Sequence, residues 1–347
     1  MESLNVNVEN NRYYYELDLA KIFATFLIVL QHTISPEWST LAVNSASWMV
    51  LNLLFELSRL GVPLFFMCSG IGMLQKERSF NSILKKNISH LLLVYVMWMQ
   101  VYGIRDIVSM LIKGEGNIRV YINAYVKSVL FGQYHVWFLF TLIGLYLLVP
   151  LLYPIVQRKE LQIYMVVLSV IATVILPYLA RVPGYSRMEY TLGSFDLNNL
   201  YGYLMYFVLG YCVLTCVSKK GKSMAILAVT GVAGLFFGYV LSAVQSFREG
   251  IAVQTPYDCF HIFGFIMCLG FFAIFLLVPL NNKHLRTIVL GVKDCGLGIY
   301  LIHPILLPLV QNVHGIYRAL CAIGIYLILL FVCWVLSLNK ITKRLFL

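Results

Sequence analysis

LDLAKIFATFLIVLQHTI occupies residues 17–34. Between Ile22 and Leu30 only Thr25 interrupts the apolar run. Wound as an α-helix at about 1.5 Å per residue, the stretch is about 27 Å long. That approaches the hydrocarbon thickness of a bilayer, which takes about 20 mainly apolar residues to cross. The segment therefore reads as a membrane-spanning helix, and the rest of the chain repeats the pattern. Comparable runs lie near 17–35, 48–74, 83–104, 135–156, 161–179, 197–217, 223–244, 257–280, 292–313 and 317–337. Of the 347 residues 60% are hydrophobic and 12% charged, against roughly 25% charged in an average soluble protein. So little charge cannot clothe a water-facing surface. The expected fold is an all-α, polytopic integral membrane helix bundle of about ten transmembrane helices.

Orientation follows from the positive charges. There are 26 Lys and Arg residues against 15 Asp and Glu. Counted over alternate loops, sixteen Lys and Arg fall on one side and eight on the other, with Lys21 and Arg59 inside spans. Lys and Arg concentrate in cytoplasmic loops, so both termini are expected in the cytoplasm. The excess of basic residues then has a topological cause. No basic cluster with interleaved aromatics stands apart from the loops, so nucleic acid is not expected as a partner. The chain divides into a short polar N-terminus (1–16), a single transmembrane domain (17–338) and a basic cytoplasmic tail (339–347). Residues 119–131, RVYINAYVKSVLF, have apolar positions at near-helical spacing and read as an amphipathic surface helix or lid. Gly234 and Gly238 form a small-xxx-small step that reads as helix packing.

The eight cysteines form no CxxC pair. They fall in or beside apolar runs and read as packing residues, and no metal site is expected. The sequence also contains no HExxH, Walker loop, GxSxG elbow or dinucleotide fingerprint. Chemistry here would have to rest on histidine and a cosubstrate that brings its own reactive group.

Charges inside spans cost about 2.5–3.5 kcal/mol each on insertion scales, so each needs a reason. Lys21 and His32 are eleven residues apart, which at about 100° per residue places them within about 20° on one face, about 16 Å apart along the axis. Asp18 points within about 60° of Lys21. Two readings stand: an interfacial lysine with a packed bundle histidine, or a stripe carrying a cation inward and an imidazole outward. Arg59 lies beside Gly61 and Pro63, which are expected to break the second span. It either pairs with Glu56 or holds an anionic cosubstrate. His135 and Trp137 open the fourth span near the outer interface, with Trp137 read as a belt residue. Asp258 and His261 can form a pair. His303, in GIYLIHP (298–304), is a mid-span imidazole followed by a helix breaker.

These residues carry a resemblance. LDLAK…QH in the first span, RLGVPLFFMCSG (59–70), the lysine pair 85–86, HVWFLFTLIGLYLLVPLL (135–152), YFVLGYCV (206–213) and GIYLIHP follow in order across nearly the whole chain. In that order they resemble the integral-membrane acyltransferase family 3 proteins, O-acyltransferases of bacterial surface carbohydrates. The resemblance implies a stand-alone form without an extracytoplasmic domain. It implies transfer of an acetyl group from acetyl-CoA, as cosubstrate, to a hydroxyl of a cell-surface carbohydrate or its lipid-linked precursor. It makes His32 catalytic, with Lys21 and Arg59 binding acyl-CoA, and it implies the inner, cytoplasmic membrane; Asp18, beside Lys21, and His303, as a mid-span imidazole, are supporting candidates on physical grounds. Relatives more commonly carry arginine at the position of Lys21, which keeps the charge but lacks the planar fork. Partners are then acyl-CoA, a carbohydrate acceptor and membrane lipids. A transporter or exporter of a glycan or small polar solute is the alternative, since broken helices and buried charges also suit transport.

Overall fold

The computed structural model describes residues 13–180, 197–217, 221–278 and 280–347. Most of the polar N-terminal segment lies outside these, as do Arg12, Arg181, Arg187, Lys219 and Lys220 of the charge count. The described residues contain nine helical stretches long and apolar enough to cross a membrane. The tenth expected span, near 197–217, is helical throughout, as Leu197–Cys212 continued by Val213–Val217.

Helix α1 (Tyr15–Thr40) is the axis of the bundle. It is packed by α2 (Ala46–Ser58), α3 (Gly61–Leu74), α10 (Ile262–Leu277), α11 (Lys283–Val292), α12 (Gly296–Ile302) and α13 (Tyr317–Leu338). A helix enclosed on so many sides is apolar around most of its circumference, and Ala20, Ala24, Leu27, Ile28, Val29 and Ile34 are all buried. The second span breaks where expected: α2 stops at Ser58 and α3 resumes at Gly61. Pro63 falls in the first turn of α3, where a missing N–H leaves no intrahelical bond unmade. The start of α3 rides against α1, and a Cβ on Gly61 would lie 2.9 Å from the Ala24 carbonyl oxygen.

The chain then climbs through α4 (Ser89–Lys113), returns by α5 (Ile118–Phe131) and descends as α6 (Trp137–Val156). The continuous helix Phe80–Lys113 has 34 residues, about 51 Å at 1.5 Å per residue. That outruns a hydrocarbon core of about 30 Å. The turn is set by Gly114, at φ +68°, whose N–H donates to the Leu111 carbonyl while that of Glu115 reaches Met110. Asn117 caps α5 by accepting from the Val120 N–H at 3.2 Å. The expected amphipathic helix over 119–131 is therefore one arm of an antiparallel hairpin. Its Tyr125 packs over Gly103 and its hydroxyl bonds Gln100.

Helices α7 (Lys159–Val170), α8 (Leu197–Cys212) and α9 (Gly221–Glu249) complete the bundle with α10. Close approach sets the α9–α10 contact, because a Cβ on Gly231 would lie 2.5 Å from the Gly270 Cα. Gly234 meets α10 at Phe263 and Met267, and Gly238 meets Glu56, so both serve packing as expected. At the other end, α14 (Lys340–Phe346) makes the basic tail a docked helix. Trp98 donates its indole N–H to the Phe346 carbonyl, and Lys343 pairs with Asp294 at 2.6 Å. Lys293, the neighbour of Asp294, donates to the Tyr13 hydroxyl at 2.9 Å. The first described residues and the C-terminal helix therefore meet at one end of the bundle.

Candidate active site

Three elements far apart in sequence bring three histidines together near the end of α1 opposite the termini. His32 sits on α1, about 25 Å along the axis from Tyr15. His303 follows α12, where Pro304 and Pro308 deny the chain the amide donors an α-helix needs. It continues instead through two tight turns, His303–Ile305 and Leu307–Val310. His135 lies in the turn Tyr134–Val136 that opens α6. The His303 ring centroid is 5.0 Å from that of His32 and 5.6 Å from that of His135. Tyr134 stands edge-on to His32 at 5.6 Å.

Hydrogen bonding fixes the tautomer of His303. Its Nδ1 is 2.6 Å from the Tyr300 carbonyl oxygen, and a carbonyl only accepts, so Nδ1 carries the proton. Nε2 then bears the lone pair. It is buried with no hydrogen-bond partner among the described residues. The backbone around the cluster is tied down as well: Tyr102 donates to the Leu301 carbonyl at 2.7 Å, and the Tyr300 hydroxyl donates to the His135 carbonyl.

His32 is half-buried and borders a pocket of about 280 Å³ with Ser35, Pro36, Tyr134, Val310 and Arg318. Pro36 acts twice here. It lines the pocket, and because it has no N–H it cannot donate to the carbonyl four residues back, which is that of His32 itself. One imidazole and a carbonyl oxygen released from the helix ladder therefore belong to the same turn of α1.

The remaining sequence-derived residues lie elsewhere. Lys21 stands about 16 Å from His32 along α1, half-buried and within electrostatic reach of buried Cys68. Asp18 accepts the Tyr13 hydroxyl at 2.5 Å, in a chain that continues to Lys293. Arg59 is paired, but its partner is Asp258 at 2.6 Å and not Glu56. Glu56 points away into the packing against Gly238, with neither carboxyl oxygen hydrogen-bonded among the described residues. Arg59 remains within electrostatic reach of His32. Asp258 and His261 are joined through the backbone, the His261 N–H donating to the Asp258 carbonyl at 2.8 Å, while the Asp258 carboxylate serves Arg59 and the Phe260 N–H. Trp137 packs on Phe138 and Tyr203 and is 44% exposed, as a belt residue would be. Two residues of the site were given no role by the sequence. His135 was visible as a histidine opening an apolar span. Arg318 looked like an outer-loop charge, yet it is only 6% exposed.

The described residues thus form a multi-pass helical bundle with three histidines gathered beside a small pocket at one end. The chain matches, over residues 14–338, the family model described as an acyltransferase domain, and it belongs to acyltransferase family 3. It is thus a membrane-spanning acyltransferase, which decides between the enzyme and transporter readings. No curated protein and no solved structure matches it.

Proposed function

We propose that this acyltransferase moves an acetyl group from acetyl-CoA to a carbohydrate hydroxyl held in the pocket beside His32. The observation that carries the reading is the pairing of a pocket-lining His32 with a His303 whose tautomer is fixed by a carbonyl. An imidazole held in place is the group a hydroxyl nucleophile needs as general base. His303 touches neither reactant in this scheme and positions His32. Tyr134, 64% exposed at the rim, offers a sugar ring an aromatic face.

In the reaction His32 takes the proton of the acceptor hydroxyl as its oxygen attacks the thioester carbonyl. The C–S bond breaks, the proton passes to the departing sulfur, and an O-acetyl sugar and free coenzyme A result. The donor is anionic, and the end of the bundle where Lys283, Arg286 and Lys293 cluster suits its phosphates; by the charge rule that end is cytoplasmic. Lys21 lies between that end and His32, placed to meet the donor as it enters. Arg59 serves the donor only if an anion displaces Asp258, so its first role is to join α2 to the start of α10.

The test is transfer of labelled acetyl from acetyl-CoA into envelope carbohydrate by membranes holding equal amounts of folded wild-type or His32→Ala protein. Label with wild type and none with the variant is the expected result. Equal label in both would remove His32 from the chemistry.

A further inference from the structure

Arg318 is a buried cation in the pocket wall that has no counter-charge among the described residues. It is 6% exposed and borders the same pocket as His32. Among the described residues its guanidinium reaches only main-chain carbonyls, those of Val310 at 3.3 and 3.4 Å and Gln311 at 3.2 Å. Bonds of that length are at or beyond the long edge of the usual N–H···O range. Among the described residues no carboxylate lies within ion-pair distance of it. The acidic residue of the neighbouring α1 turn, Glu37, is engaged by the Gly315 N–H at 2.8 Å and by His314 at 3.4 Å. A charge taken out of water is stable only when paired and hydrogen-bonded. A guanidinium, with five donors in a planar fork, favours carboxylate and phosphate.

The pocket is small for a ligand site, which commonly spans about 300–1,000 Å³. It has room for about one sugar ring, with His32 and Arg318 both in its wall. We infer that the acceptor is an anionic carbohydrate, whose phosphate or carboxylate is bound by Arg318 while its reacting hydroxyl faces His32. This identification rests on the acyltransferase reading above, whereas the anion site itself does not. Arg318 is then a specificity-determining residue: it selects charged sugars over neutral ones of the same shape, and it fixes which hydroxyl points at the imidazole.

The experiment reads the pocket without turnover. Purified protein is treated with diethyl pyrocarbonate, which modifies accessible imidazoles, and modification of His32 is followed by peptide mass. Exposed His284, near the opposite end, serves as the internal control. Glucose, glucuronic acid, glucose 1-phosphate and decyl phosphate are titrated as protectants. At least one anionic probe should protect wild-type His32 at a concentration at least tenfold below that of glucose, with His284 unaffected. Arg318→Gln should erase that preference, and Arg318→Lys should retain part of it.

The decyl phosphate arm locates the anion. Protection matching glucose 1-phosphate assigns it to a lipid carrier, and protection by the anionic sugars alone assigns it to the sugar. Glucose protecting as well as every anionic probe in wild type would overturn the inference, as would an undiminished preference in Arg318→Gln. Should Arg318→Gln fail to fold, the wild-type and Arg318→Lys titrations still decide. Anionic protection without any acetyl transfer would leave the anion site standing and defeat the acyltransferase chemistry proposed for it.

Discussion

The two ends of α1 handle polar groups in opposite ways. At the end near the termini, Tyr13, Asp18 and Lys293 join in a chain of hydrogen bonds, and Asp294 meets Lys343 with both side chains nearly half exposed. Each of these four charges, Asp18, Lys293, Asp294 and Lys343, has both water and a partner. At the other end, among the described residues, His303 is fully buried with one nitrogen unmatched and Arg318 is buried with no acid beside it. Water can supply what a surface pair lacks, but it cannot do so for a buried group. Among these groups, missing partners at the far end point to a ligand, whereas the completed pairs at the near end hold the terminal segments together.

That contrast can be broken most decisively at His32. Its replacement by alanine should lower acetyl transfer by about 10³-fold, within the range for loss of a general base, while the protein runs unchanged on size exclusion. His303→Ala should cost about 10- to 100-fold in kcat with the KM for acetyl-CoA preserved, because it acts through His32. A large change in donor KM would show that His303 contacts the donor. Arg59→Ala leaves Asp258 partly buried and unpaired. Loss of a fully buried pair costs about 3–5 kcal/mol; both side chains here keep some solvent access, so about 1–2 kcal/mol is expected, read as a lower midpoint in thermal unfolding. At the other end of α1, Lys21→Ala should raise the KM for acetyl-CoA about tenfold, close to 1.4 kcal/mol, with Lys21→Arg at or below the wild-type KM. The smallest effect should come from Asp294→Asn, which removes an exposed pair worth about 0–1 kcal/mol. A loss above 2 kcal/mol there would show that the near end is not the solvent-screened region described above.

How much of this was legible beforehand depends on what kind of information each residue carries. The spans were readable because insertion into a bilayer is a property of about 20 consecutive residues. The break before Gly61 and the turn at Pro304 were readable because glycine and proline act on their own backbone. His32 and His303 stood out as imidazoles within apolar runs. What the sequence could not convey was adjacency across the bundle. Arg59 has an acid three residues away on its own helix, and that local rule pointed to Glu56. The tertiary packing instead turned Glu56 toward Gly238 and delivered Asp258 from 199 positions along the chain. Arg318 was misjudged for the same reason: a basic residue at a helix start resembles a loop charge until the two tight turns before it fold back over its side chain.

The hairpin of α4 and α5 has a practical corollary. Its tip, Gly114–Glu115–Gly116, is exposed and already adopts left-handed backbone at both glycines. A short epitope inserted there would replace a turn that bears no core packing and would stand clear of the histidine cluster. Antibody access to such an epitope in intact cells, compared with opened ones, would report directly which face of the bilayer the pocket addresses.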